Sequence, residues 1–190
     1  FDYKDDTIDI LNANLRNRFL DGKFQGEIKL SPFFDFNLNI DLNTLNFNSL
    51  YNSIIKLNDV QKKNLFRVNR RINGKVHVSA EKVFSKNTLI NSFESNIKFN
   101  NGNILIEKLL MSLGKLGAAD LTGVIKNDIK FTNFKFENNI FIDNPKKFYS
   151  KFGVRNKKQT SDSMFISGSI DLSKFILHLY EIIDDEKFNN

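Results

Sequence analysis

The sequence predicts a mainly β protein whose strands are apolar on one face and polar on the other, with short helices at the crossovers. Three observations carry this. The stretch Phe34-Asp35-Phe36-Asn37-Leu38-Asn39-Ile40-Asp41-Leu42-Asn43 alternates apolar and polar without a break. One strand-like phrase headed by glycine recurs at a near-constant interval. Gly and Pro number only 9 and 2, so no Pro-rich or Gly/Ser-rich linker divides residues 1–190, and the chain reads as one unit.

The recurring phrase is Gly, any residue, β-branched apolar, any residue, apolar, Ser. It stands at Gly26 to Ser31, Gly74 to Ser79 and Gly168 to Ser173, with a degenerate copy at Gly123 to Lys126. The glycines lie 48, 49 and 45 residues apart, a repeat of about 47 residues of the kind that modular sheets grow by. Gly at the head of each copy suits a turn that needs positive φ.

The remaining elements follow in order. In residues 34–43 successive side chains point to opposite faces, so Phe34, Phe36, Leu38, Ile40 and Leu42 share one side. Such one-sidedness belongs to antiparallel sheets. Leu50, Tyr51, Ile54 and Ile55 have helical spacing, with Asn48 or Ser49 as N-cap. A second short helix is expected over 59–68. Alternation returns in Ser95 to Phe99, followed by Asn101-Gly102 as a type I′ hairpin signal and by Asn103 to Ile106. It returns again in Phe134 to Phe136. Asn144-Pro145 opens a third helix, with Phe148, Tyr149 and Phe152 on its apolar face. Phe175 to Tyr180 reads as a strand or as a helical turn.

Much chemistry is excluded. Cys is absent, which removes disulfides, thiol nucleophiles and thiolate zinc sites. No apolar run reaches the ~18 residues of a membrane span. There is no phosphate loop, dinucleotide glycine fingerprint or nucleophile elbow. No metal or cofactor is expected. His77 and His178 stand about 100 residues apart, and a hydrolase using them requires the fold to unite them. Lys and Arg outnumber Asp and Glu by 28 to 22, but they are mixed with acids along the chain and read as a solvated surface. Lys130-Phe131, Phe134-Lys135-Phe136 and Lys146-Lys147-Phe148 interleave aromatics with bases. Arg67-Val68-Asn69-Arg70-Arg71 is the one arginine cluster, and nucleic acid is not expected as a partner. The chain opens at Phe1 with no signal peptide in view and ends on a polar stretch. It reads as a fragment of a longer chain.

Several phrases resemble the AsmA-like family of bridge-like envelope proteins. Ile72-Asn73-Gly74-Lys75-Val76-His77-Val78-Ser79-Ala80 is similar to that family's G-x-L-x-L-S-A strand. Phe99 to Ile106 looks like its recurrent hairpin, and Leu113 to Gly123 like the glycine-rich strand after it, with Ala118-Ala119 where a second Gly is usual. Gly22 to Gly26, ahead of Ser31 to Phe34, fits a preceding copy. The resemblance is strongest over residues 22–142. It implies a non-enzymatic, elongated, twisted antiparallel sheet folded into an open groove with an apolar inner face. It further implies a periplasmic location in Gram-negative bacteria and anchoring in the inner membrane by a segment outside this one. The implied role is phospholipid transport toward the outer membrane, or support of outer-membrane assembly factors.

On this reading the residues facing acyl chains are Phe34, Phe36, Leu38, Ile40, Leu42, Ile97, Phe99, Ile104, Ile106, Phe134 and Phe136. The same one-faced strands would equally line the shut core of a β-sandwich interaction module. The sequence leaves groove and sandwich both open.

Overall fold

The computed structural model describes residues 1–86, 89–127, 132–153 and 161–185. Their order is β1 (Asp2–Lys4), β2 (Thr7–Arg16), β3 (Leu20–Lys29), β4 (Phe34–Asn46), α1 (Phe47–Ile55), α2 (Asp59–Leu65), β5 (Ile72–Ala80) and β6 (Val83–Phe84). There follow β7 (Ser92–Asn100), β8 (Asn103–Ser112), a 3-10 turn (Gly114–Leu116), β9 (Gly117–Asn127), β10 (Thr132–Ile142), α3 (Pro145–Lys151), β11 (Ser163–Asp171) and β12 (Ile176–Asp185). All the strands belong to one twisted sheet, in the order β1-β2-β3-β4-β5-β7-β8-β9-β10-β11-β12, with β6 beside the end of β4. The sheet is open and does not close into a barrel. Among the described residues the strands form this one sheet and not two packed layers, so the sandwich architecture is not the one adopted there.

Neighbours along the path pair antiparallel except at β4–β5, which are parallel from Phe34↔Ile72 to Leu42↔Ala80. The cause is the connection. Antiparallel neighbours need only a tight turn, whereas parallel ones need a crossover, and α1 with α2 supplies it. The Asn101-Gly102 hairpin is as expected: φ is 49° and 81° at the two residues, the pair of left-handed positions that a type I′ turn requires. Residues 175–180 resolve into a turn and the start of β12.

The helices start where polar side chains satisfy their first amides. Asn46 caps α1, its Oδ1 accepting from the Ser49 amide at 3.0 Å. The sequence favoured Asn48 or Ser49. Asn48 instead accepts from the Lys86 amide at 2.8 Å, tying α1 to the segment after β6. Asn58 and Gln61 form a reciprocal capping box on α2. Asn144 caps α3, with Pro145 in the first turn.

One expectation about the repeat is overturned. Gly26, Gly74, Gly123 and Gly168 lie inside β3, β5, β9 and β11 and not in turns. Two of them have φ in the region few side chains adopt, +143° at Gly26 and +152° at Gly74. A Cβ at Gly74 would stand 2.5 Å from the Phe36 carbonyl oxygen and 2.6 Å from its ring. The glycine is there so that a neighbouring strand and its aromatic ring can lie over it.

Two clusters of buried residues sit along one rim of the sheet. Leu42, Leu45, Ala80 and Val83 form one cluster, with Leu50 of α1 packed against it. Leu113, Ala119 and Ile142 form another beneath Phe148 and Tyr149 of α3. Ile90 packs against both. Thus α1 and α3 cover the same face of the sheet at the same rim. Phe152, expected on the apolar face of α3, is 53% exposed although its ring lies 5.0 Å from that of Phe148.

Candidate functional site: an apolar trough

The strand registers convert one-sided strands into rows that cross the sheet. One row runs from Ile10 through Gly26, Leu38, Val76, Ile97, Ile106, Gly123, Phe136 and Gly168 to Leu179. The next runs from Ile8 through Ile28, Phe36, Gly74, Phe99, Ile104, Ile125, Phe134 and Ile170 to Leu177. Neither contains a polar side chain. Each crosses ten strands, about 43 Å at ~4.8 Å per step. A third row, nearer the packed rim, includes Ile40 and Val78 but is broken by Ser95 and Asn138. The Asn138 Oδ1 is buried and has no hydrogen-bond partner.

Glycines and phenylalanines interlock along these rows. The Phe36 ring spans Gly74 to reach Phe99, with centroids 5.3 Å apart. The Phe134 ring covers Gly123 and that of Phe136 covers Gly168, and the two rings stack at 5.7 Å. Phe34 meets Phe36 edge-on at 6.0 Å. Such offset and edge geometries suit the ring quadrupole.

The sheet curls around this face. Tyr51 of α1 meets Phe175, in the turn before β12, at 6.2 Å. Lys62 of α2 stands 5.5 Å from the same ring, and Arg18 donates to the Ser53 hydroxyl at 3.2 Å. On a flat sheet, β4 and β11 would be six steps or about 29 Å apart. A crossover leaving β4 touches the β11–β12 turn because the sheet bends into a trough, and α1 with α2 bridges its mouth. Neither helix has a fully buried residue, so the bridge rests lightly.

All eleven residues chosen from the sequence lie on this one face. Phe36, Leu38, Ile97, Phe99, Ile104, Ile106, Phe134 and Phe136 occupy the two unbroken rows, and all are half-buried. Ile40 is in the third row. Phe34 is at the unpacked rim, 38% exposed. Leu42 is 4% exposed and belongs to the packed cluster. Sequence reasoning missed Ile8, Ile10, Phe24 and Ile28 of β2 and β3. In β2 the alternation is interrupted by the irregularity between Ile10 and Ala13. In β3 it passes through Gly22 and Gly26, which break the apolar period but hold places on the apolar face.

The opposite face is polar around β4 and β5. Asn39 donates to Asp41 at 2.8 Å, and the Ser79 hydroxyl donates to the same carboxylate at 2.8 Å. The His77 Nδ1 lies 2.8 Å from the Asn96 Oδ1. His178 is on β12, six strands from β5, and like His77 it lies on the outer face, which the curl of the sheet spreads apart, so the two histidines do not meet. Glu94, Leu110, Asp120 and Phe141 border a depression of about 530 Å³ on this outer side. Among the described residues no cluster of His, Asp and Glu is arranged to hold a metal. No helix among them is long and apolar enough to cross a membrane. Lys130 and Phe131 lie outside the described residues.

Two titratable groups mark the ends of the trough. At the packed rim, burial first and then the Asp184 carboxylate, which accepts from the Tyr149 hydroxyl at 3.1 Å, push the tyrosine up. At the other rim, burial alone would raise the Asp171 carboxyl. The Ser173 hydroxyl and the Ser173 and Lys174 amides outweigh it and hold the group below its ordinary value. Comparison with protein-family models, curated proteins and solved structures finds no match to this chain.

Proposed function

We infer that the trough holds acyl chains and that the protein is a non-enzymatic, lipid-conducting segment of the AsmA-like type. On this reading it works in the envelope of Gram-negative bacteria and passes phospholipid between the two membranes. The carrying observation is the pair of cross-strand rows without a polar side chain, most of their residues half-buried, in an open sheet. An acyl chain laid along them replaces water on apolar surface, worth roughly 25 cal/mol per Å². It meets no charge that would have to be desolvated. Headgroups would stay at the rims, where the polar turns are.

The test is native mass spectrometry with lipid extraction on the purified protein and on a Phe36→Asp/Phe99→Asp double variant. Both rings are half-buried and touch each other, so two carboxylates there place charge in the middle of both the trough and its aromatic chain. The expected result is bound phospholipid in the parent and at least a tenfold loss in the variant, with unchanged circular dichroism. A folded, lipid-free parent overturns the reading.

A second reading, an adaptor for outer-membrane protein assembly, is favoured by one feature. The edge strand β12 exposes Leu177, Leu179, Tyr180 and Ile182, a template on which a partner's strand could add. A lipid-free parent that captures an extended peptide along β12 would support it.

A further inference from the structure

Basic and acidic residues alternate along most of the chain, but the net positive charge is concentrated in the crossover. Residues 47–71 contain Lys56, Lys62, Lys63, Arg67, Arg70 and Arg71 against a single acid, Asp59, and so account for five of the six net positive charges. Lys56 and the three arginines are exposed. The same segment exposes apolar side chains that a solvated helix pair would not need. Ile55 of α1 is 42% exposed; Phe47 and Tyr51 share its stripe at 44% and 41%, although they stack on each other and Tyr51 also meets Phe175. Val60 and Leu65 of α2 are exposed at 68% and 54%.

The register brings a second apolar group to the end of this segment. Phe34 pairs with Ile72 at the start of the parallel ladder. Phe33 and Arg71 are the residues that lead into that pair, at the same rim of the sheet. Phe33 is 68% exposed and Leu30, just before it, 43%. The arginines are held there by a local turn, the Arg71 amide donating to the Asn69 Oδ1 at 2.9 Å and the Ile72 amide to the Asn69 carbonyl at 3.0 Å.

We propose that this crossover and the adjoining β3–β4 turn dock the protein on an anionic lipid surface. Exposed aromatic and aliphatic side chains beside lysine and arginine are what an interfacial segment needs. The apolar groups enter the headgroup boundary while the cations meet anionic lipid. Nucleic acid would use the cations but leaves Ile55, Val60 and Leu65 without a partner. The docked corner is also where Phe34, Phe36 and Phe99 begin their contact chain into the trough. Its use as the loading point of the trough rests on the function proposed above; the docking itself does not.

The experiment is co-sedimentation with vesicles of phosphatidylcholine alone or mixed with phosphatidylglycerol. Parent protein is compared with an Arg67→Ser/Arg70→Ser/Arg71→Ser variant and a Phe33→Ser variant, and each is also weighed for bound lipid by native mass spectrometry. All four side chains are exposed, so folding is expected to survive, as circular dichroism verifies. The parent should bind the anionic vesicles and release them as salt rises from ~0.1 M to ~1 M, where screening shortens from ~10 Å to ~3 Å. Loss of three arginines should weaken binding on the order of a hundredfold, at about fivefold each. Phe33→Ser should weaken it severalfold at every salt concentration. Equal binding to neutral vesicles, or an unaffected arginine variant, overturns the docking. So does binding to a DNA duplex tighter than to anionic vesicles. Vesicle binding by a protein that never carries lipid would retain the docking and refute the trough.

Discussion

Gly74 shows how much one absent side chain can organise. Its backbone φ of +152° and the Phe36 ring above it leave no room for a Cβ, and the ring is thereby free to reach Phe99. We expect Gly74→Ala to cost roughly 2–4 kcal/mol, combining backbone strain with overpacking. Urea unfolding followed by circular dichroism measures it. A cost under about 0.5 kcal/mol would show that β4 and β5 can part without consequence. The exposed ion pairs Arg16–Asp21 and Lys29–Glu27 contribute little by comparison, since solvent screens them.

At the scale of elements, the turn before β12 is the contact between the far end of the sheet and the crossover. Asp171 organises it by accepting from the Ser173 hydroxyl at 2.6 Å and the Ser173 amide at 2.8 Å. Phe175 is held there at φ 54°, a conformation unusual for a bulky side chain. Because the folded-state carboxyl lies below its ordinary value of 3.8, the stabilisation it provides is complete above that value. It is lost as pH falls through the lower folded value. The Ser173 amide resonance followed by NMR should titrate with a midpoint below 3.8, and the Tyr51–Phe175 contact should loosen with it. Asp171→Asn should abolish that titration. A midpoint above the ordinary carboxylate value would mean that burial dominates instead.

At the scale of the whole molecule, stability and the trough occupy opposite rims. The two buried clusters lie under α1 and α3 at one rim and share Ile90, whereas the rows assigned to acyl chains are mostly half-buried and run toward the other, where α1 and α2 only bridge them. The sheet should therefore unfold as one unit nucleated on the packed rim. Ile90→Ala is expected to cost about 2 kcal/mol, at the low end for a partly buried isoleucine, while leaving a single unfolding transition. Two separated transitions would show that the clusters fold independently. A continuous curled sheet also explains why a trough can exist here at all. Pairing along eleven neighbouring strands satisfies the backbone hydrogen bonds, so the apolar face need not be closed over to protect them.

How much of this was legible beforehand depends on the range of the interactions involved. The alternation in Phe34 to Asn43 is a property of consecutive residues, and it placed five side chains on one face before any fold was known. The Asn101-Gly102 turn and the Asn144-Pro145 helix start are equally local, and both stand in the structure as expected. The repeat of glycines was visible, but its meaning was not. Whether Gly74 serves a turn or a ring is decided by Phe36, which lies on another strand 38 residues earlier. Ile8 and Ile28 were hidden because an irregularity in β2 and glycines in β3 disguise the period. Only tertiary structure decided that β4 and β5 run parallel, that the strands form one open sheet in place of two packed layers, and that separate apolar faces join into two unbroken rows. Those features depend on register between distant strands and on how far the sheet curls. Periodicity along one strand determines which side of a residue is apolar, but no local rule states what that side will meet.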